Sequence, residues 1–197
     1  MKKIILIFCF IASFPTYAQL LDSLALDTIK AYTSLSEALK NPEQVIKLEL
    51  KRQHYKTFPK DIFKFKNLQY LDLSKNSIKE IPDSIEVLSQ LQYLNMSKNM
   101  LQMLNGKIGK LTNLVYLNLN NNEFSALPTT MGNLVNLRTL DLWSNNLDEF
   151  PENIKNMKSL QVLDLRAILI TDEVQNYIKS LFPNTTIYLS PSCNCKW

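Results

Sequence analysis

Leu68-Gln69-Tyr70-Leu71-Asp72-Leu73-Ser74-Lys75-Asn76 decides the fold because it comes back. The same frame returns as Leu91…Leu94-Asn95-Met96…Asn99, as Leu114…Leu117-Asn118-Leu119…Asn122, and as Leu137…Leu140-Asp141-Leu142…Asn145, each copy 23 residues after the last. Val45 and Leu160 open two further, looser copies, which makes six units. The register holds through the rest of each unit: Tyr55, Ile78, Leu101, Phe124, Leu147 and Ile170 align, and proline recurs at Pro59, Pro82, Pro128 and Pro151, with Asn105 the exception. Ile62, Ile85, Ile108, Met131 and Ile154 fall in one further apolar column.

In x-L-x-L-x the leucines alternate with other residues, so they point to one side of a short strand. One such coil cannot bury its own leucines, whereas stacked coils bury them against one another. Asn76, Asn99, Asn122 and Asn145 sit where the chain leaves the strand, and a buried amide there satisfies backbone groups of neighbouring coils as a ladder.

The frame L-x-x-L-x-L-x-x-N-x-L-x-x-L-P-x-x-I-x-x-L-x-N resembles the 23-residue leucine-rich repeat, in the subtype of Ras-pathway scaffold proteins and many bacterial repeat proteins. The resemblance covers roughly residues 45–190 and implies an α/β leucine-rich-repeat solenoid. Curved, short parallel β-strands would line the concave face, between a helical N-terminal cap and a helix-plus-strand C-terminal cap. It also implies a binding scaffold, with no catalytic residues to carry over.

Both ends fray, as caps should. Ser34-Leu35-Ser36-Glu37 reads as a capping box opening a helix to about Lys40, stopped by Asn41-Pro42. Residues 19–33 have no legible pattern. Arg166-Ala167-Ile168-Leu169-Ile170 has lost the motif. Thr171-Asp172-Glu173 then starts a helix with Val174, Tyr177, Ile178, Leu181 and Phe182 on one face, ended by Pro183 before a strand at Ile187-Tyr188-Leu189. The expected division is 1–18 leader, 19–44 N-terminal cap, 45–170 repeats, 171–190 C-terminal cap and 191–197 tail.

The leader has the layout of a secretory signal peptide: Lys2 and Lys3, an unbroken apolar run from Ile4 to Ala12, then Thr16-Tyr17-Ala18 at the cut. The run falls short of the ~20 residues a membrane span needs. Export to a periplasm, the cell surface or the medium is therefore expected, with no integral membrane segment afterwards. Removing two lysines and no acids takes the formal charge from +4 to +2, which makes no case for nucleic acid. Cys193 and Cys195 would remain, in a compartment that permits a disulfide. A bridge across one residue, a link to another chain, and two free thiols all stay open. Two thiolates alone do not fill a zinc site.

Convergent reactive groups are missing, so no enzyme activity and no cofactor are expected. The single histidine, His54, lies in a bend with nothing near it that resembles a nucleophile elbow. Gly106-Lys107-Ile108-Gly109-Lys110-Leu111-Thr112 superficially suggests a phosphate loop, but Leu104, Ile108 and Leu111 are core positions of the repeat.

The outward positions of the strands are more informative. Their first column is Lys47, Tyr70, Tyr93, Tyr116, Thr139 and Val162; the second is Glu49, Asp72, Asn95, Asn118, Asp141 and Asp164; the third is Lys51, Ser74, Ser97, Asn120, Trp143 and Arg166. Tyrosine and tryptophan dominate binding hot spots. Stacked tyrosines also stabilise neighbouring strands, and both readings stand. An exposed tryptophan has a poor packing excuse and favours binding. The expected function is a monomeric, non-catalytic scaffold for a protein or peptide. Tyr70, Tyr93, Tyr116 and Trp143 would anchor the partner, and Asp72, Asp141, Asp164 and Arg166 would set polarity. The alternative is a structural or adhesive surface component linked through its tail cysteines, which non-reducing electrophoresis would reveal.

Overall fold

The computed structural model describes residues 20–192. The leader expected at 1–18 and the tail cysteines Cys193 and Cys195 lie outside the described residues. Seven short strands pair in parallel and in chain order: β1 (Lys47–Glu49), β2 (Tyr70–Asp72), β3 (Tyr93–Asn95), β4 (Tyr116–Asn118), β5 (Thr139–Asp141), β6 (Val162–Leu165) and β7 (Thr186–Leu189). Register follows the sequence period, so Leu48, Leu71, Leu94, Leu117, Leu140 and Leu163 form one buried row. The sheet is open, and from β1 to β6 each coil returns over the convex side through a five-residue 3-10 turn, as at Lys60–Lys64 and Thr129–Asn133. Proline precedes four of these turns. Where it is replaced, Asn105 Oδ1 accepts from the Lys107 N–H at 2.8 Å and caps the turn instead.

The asparagine ladder forms as expected. Asn99 Oδ1 accepts from the Ile78 N–H one coil back, while its Nδ2 donates to the Leu73 and Met96 carbonyls of two coils. Asn76, Asn122 and Asn145 repeat the arrangement. Immediately before each ladder position the backbone turns left-handed, at Arg52, Lys75, Lys98, Asn121, Ser144 and Ala167, with φ between 51° and 59°. None is glycine. The N–H of each bonds the next coil (Lys98 to the Asn120 carbonyl at 2.8 Å), so neighbouring coils impose a conformation that an isolated residue disfavours. The basic run Arg52, Lys75 and Lys98 sits on this bend and is exposed.

Both caps depart from expectation in detail. The unpatterned residues contain helix α1 (Ser23–Thr28), capped by Asp22, and then a bridge from Tyr32 to Leu48 that extends the sheet by one contact. Helix α2 spans only Leu35–Ala38. Half of the capping box is made: the Glu37 N–H donates to Ser34 Oγ, but the Glu37 carboxylate pairs with Lys40. Helix α3 (Asp172–Leu181) opens at Thr171 as read. Ile178 and Phe182 are buried, Val174 and Leu181 are partly buried, and Tyr177 points to solvent. A tyrosine at the edge of the apolar face keeps its hydroxyl in water.

Candidate functional site

Strand pairing brings Tyr70, Tyr93 and Tyr116 side by side on the concave face. Their rings are parallel within 3°, with centroids 4.0 and 4.4 Å apart. Strands in a sheet lie ~4.8 Å apart, so the rings are closer than the backbones that carry them. Inward side chains on a curved sheet point toward the centre of curvature and converge. Lys47 Nζ sits 4.5 Å from the centroid of the Tyr70 ring and caps the stack. Burial pushes the Tyr70 and Tyr93 hydroxyls upward in pKa, and a hydrogen bond with Tyr70 adds to the rise at Tyr93. These phenols stay neutral and offer ring area rather than charge.

The second column works on the backbone. From Asp72 onward, one oxygen of each residue accepts the N–H two positions on: Asp72 from Ser74, Asn95 from Ser97, Asn118 from Asn120, Asp141 from Trp143 and Asp164 from Arg166, all between 2.8 and 3.1 Å. Such Asx turns end each strand before the left-handed bend. Asp72 and Asp164 are buried. The remaining Asp72 oxygen faces Asn95 Nδ2 at 3.4 Å, and that of Asp141 takes the Asn120 amide at 2.6 Å. Arg166 grips Asp164 through Nε and Nη2 while lying 5.3 Å from the Tyr188 ring, so this pair is internally neutralised. Trp143 is one coil beyond Tyr116 and two columns across, 37% exposed, and its indole N–H has no partner among the described residues.

Asp141 gives a pH test. Burial raises its carboxyl above the ordinary range, and nearby Asp164 raises it further, against the opposing Asn120 and Trp143 hydrogen bonds. A raised folded-state value means that the protonated form favours the fold. That contribution is complete below the unfolded value and is lost as pH rises through the folded one. Asp141→Asn should therefore raise Tm at pH 7, by an amount on the surface-substitution scale of ~0.5 kcal/mol. The gain should vanish below about pH 4. Thermal melts across that range check it. Asparagine already fills this position at Asn95 and Asn118.

The N-terminal segment, which has no signature in the repeat, crosses the first coils of this face. The Leu21 N–H donates to Gln69 Oε1 at 2.9 Å, and Gln92 Nε2 donates to the Leu21 carbonyl at 2.8 Å. Leu26 is buried, and its carbonyl accepts from Lys47 Nζ. Between α1 and the tyrosines lies a cleft of about 310 Å³, walled by Leu26, Tyr70, Tyr93, Val115, Tyr116 and Arg138. Asp22, Ser23, Asp27 and Gln92 complete its rim. A cleft of mixed aromatic, aliphatic and charged lining suits a short peptide or the edge of a larger surface.

Other candidates stay apart from this face. His54 is exposed in a left-handed bend. Gly106–Lys110 is a convex 3-10 turn whose Ile108 is buried, so it presents no phosphate cradle. No group of three or more metal-binding side chains occurs among the described residues.

Parallel coils of 23 residues, an asparagine ladder and a concave sheet define a solenoid repeat protein. The model for a leucine-rich repeat region matches residues 18–114 and 102–182, and the chain belongs to the leucine-rich repeat family. No curated protein sequence matches it. Among solved structures, an internalin (InlF) from Listeria monocytogenes aligns with a TM-score of 0.67 at 21% identity, over 78% of this chain and 44% of that one. Internalin C2 from the same species gives 0.66 at 26% identity, over 77% of this chain and 64% of its own. The Arabidopsis receptor kinase HAESA, in complex with the peptide hormone IDA and the co-receptor SERK1, gives 0.64 at 28%, over 76% of this chain and 26% of that one. The chain thus spans less than two thirds of each of these structures.

Proposed function

We propose that the chain is a non-catalytic scaffold that binds a protein or peptide on its concave face. Tyr70, Tyr93, Tyr116 and Trp143 supply contact area in this reading, and Asp72, Asp141, Asp164 and Arg166 supply polarity. The carrying observation is Trp143, a large side chain left exposed beside the sheet, its indole N–H without a partner among the described residues. The peptide complex of HAESA, at 28% identity, adds support. The internal hydrogen bonds of the acids make them the stiff floor of the site, with the aromatics as its reactive surface. We also propose that residues 1–18 direct export; no helix among the described residues is long and apolar enough to cross a membrane.

Crosslinking in the native compartment, followed by capture, tests the reading. Trp143→Ala should weaken capture by about 30-fold, since a hot-spot tryptophan contributes roughly 2 kcal/mol. Tyr93→Ala and Tyr116→Ala added to it should abolish capture. An unchanged set of captured partners in the triple variant would sink the assignment.

A further inference from the structure

Among the described residues, hydrogen bonds tie residues 21–26 to the tyrosine-bearing face at two points. The first is the backbone of Leu21, held on both sides by glutamines from adjacent coils: its N–H donates to Gln69 Oε1, and Gln92 Nε2 donates to its carbonyl. The two glutamines also bond each other at 3.0 Å, which fixes the clamp. The second is Leu26, whose side chain is buried and whose carbonyl meets Lys47. Between the anchors, Asp22, Ser23 and Leu24 face solvent, Leu24 at 75% exposure.

Such a hold is weak. Helix α1 is six residues long, and helices that short do not persist alone. The first backbone bridge to the sheet comes only at Tyr32. Local opening of segments with few buried contacts lies far below global unfolding. What the segment covers is the opposite: a rigid, stacked and half-buried tyrosine row that a binding partner would need.

The clamp reads backbone, not side chain, so it accepts any residue that has an N–H. Leu26 is the selective element. The segment from Leu21 to Asp27 carries Asp22 and Asp27 and no base, while the face beneath and beside it carries Lys47 and Arg138. The Arg138 guanidinium makes no ion pair among the described residues. With the segment lifted away, the cleft keeps its aromatic wall and the Arg138 cation, with Lys47 freed from the Leu26 carbonyl beside it and one leucine-sized socket.

We propose that residues 21–26 occupy in cis the subsite where a partner's acidic peptide docks in trans, with a leucine five residues after the clamped residue. The inference rests on the concave-face reading above and names its ligand and its gate. The strap leaves, the partner's leucine enters the Leu26 socket, and the partner's backbone takes the Gln69–Gln92 clamp. Trp143 lies on β5's coil, beyond the covered coils, so it remains available to a partner before the strap moves.

The test uses the full chain and a fluorescein-labelled peptide of residues 20–29, blocked at both ends, read by fluorescence anisotropy. A tethered strap competes at millimolar effective concentration, so wild type should bind the peptide about tenfold or more weakly than a strap-released variant. Leu26→Asp releases the strap by placing a carboxylate in the socket. Leu21→Pro releases it by removing the clamped N–H, and it touches no core residue. Gln69→Ala with Gln92→Ala, added to either variant, should return binding to the wild-type level. A peptide carrying the Leu26→Asp change should not bind. Amide hydrogen exchange confirms release when residues 20–29 lose protection and the coils keep theirs. The proposal is overturned if released, folded variants bind the peptide no better than wild type does. It is equally overturned if light scattering shows that release produces dimers, because the occupant is then a second copy's strap. Capture that depends on Trp143 is unaffected by either failure, so the two readings fall separately.

Discussion

Asn122→Ala should cost about 3–5 kcal/mol, a large share of the ~5–15 kcal/mol that holds a domain of ordinary stability together. Asn122 is buried. Its Oδ1 accepts the Leu101 N–H at 3.0 Å, and its Nδ2 donates to the Met96 carbonyl at 3.1 Å and the Leu119 carbonyl at 2.9 Å. Alanine leaves those groups without the amide in a place water does not reach, and each unsatisfied buried group costs about 1–3 kcal/mol. Asn122→Asp should be no milder. Its carboxylate still accepts from Leu101 but has nothing to donate to either carbonyl. Asn76 makes the same bonds, yet its acceptor oxygen serves Gln53 and Tyr55 at the wetter end of the stack. Water there replaces part of what is lost, so Asn76→Ala should cost roughly half as much. Urea unfolding of both variants measures the difference. Equal losses would contradict the ladder as the source of the effect.

The period made the interior legible because each coil repeats the same burial problem. Leu71, Asn76 and Ile85 recur by type because their neighbours recur. The left-handed bend shows the limit. Lys98, Asn121, Ser144 and Ala167 share no chemistry and none is glycine, so nothing in the residue types announces the conformation. The ladder bonds impose it from outside. Tyr32 escapes for a different reason: it joins Leu48 at a spacing of 16, outside the 23-residue register, and a search by period cannot see it.

On the concave face, alternation was enough to place Tyr70, Tyr93, Tyr116 and Trp143 outward. It could not say which of the second-column acids were available to a partner. A signal was there: every residue from Asp72 to Asp164 in that column is Asp or Asn, the two types that bond a backbone N–H two residues on. A column chosen for charge would not accept Asn95 and Asn118 so readily. The strap had no such signal. Leu21 is held by its backbone, which every residue possesses, and Leu26 is one leucine among many.

Gly109→Ala should destabilise by about 2–3 kcal/mol, at the upper end of what overpacking costs. A Cβ at Gly109 would stand 2.3 Å from the Thr130 carbonyl oxygen of the next coil and 2.7 Å from the Thr130 Cβ. None of the three glycines has a left-handed backbone, so the demand is for space alone. The obstacle is backbone and cannot rotate aside; the convex turns must separate. Gly132 repeats the geometry against the Asn153 carbonyl at 2.2 Å. Its turn, Thr129–Asn133, is the one that Gly109 packs on, so the two substitutions share a strained element and should not add. A Cβ at Gly106, three residues away in the same turn, would meet nothing nearer than Thr130 Oγ1 at 3.6 Å. Gly106→Ala should therefore be neutral or stabilise by up to ~1 kcal/mol through the unfolded chain. Opposite signs at Gly106 and Gly109 in chemical denaturation would establish close convex packing as the cause. That packing also reaches the binding face. Spreading the convex turns tightens the curve of the sheet, so the Tyr93–Tyr116 spacing of 4.4 Å is set in part by Gly109 on the far side of the coil.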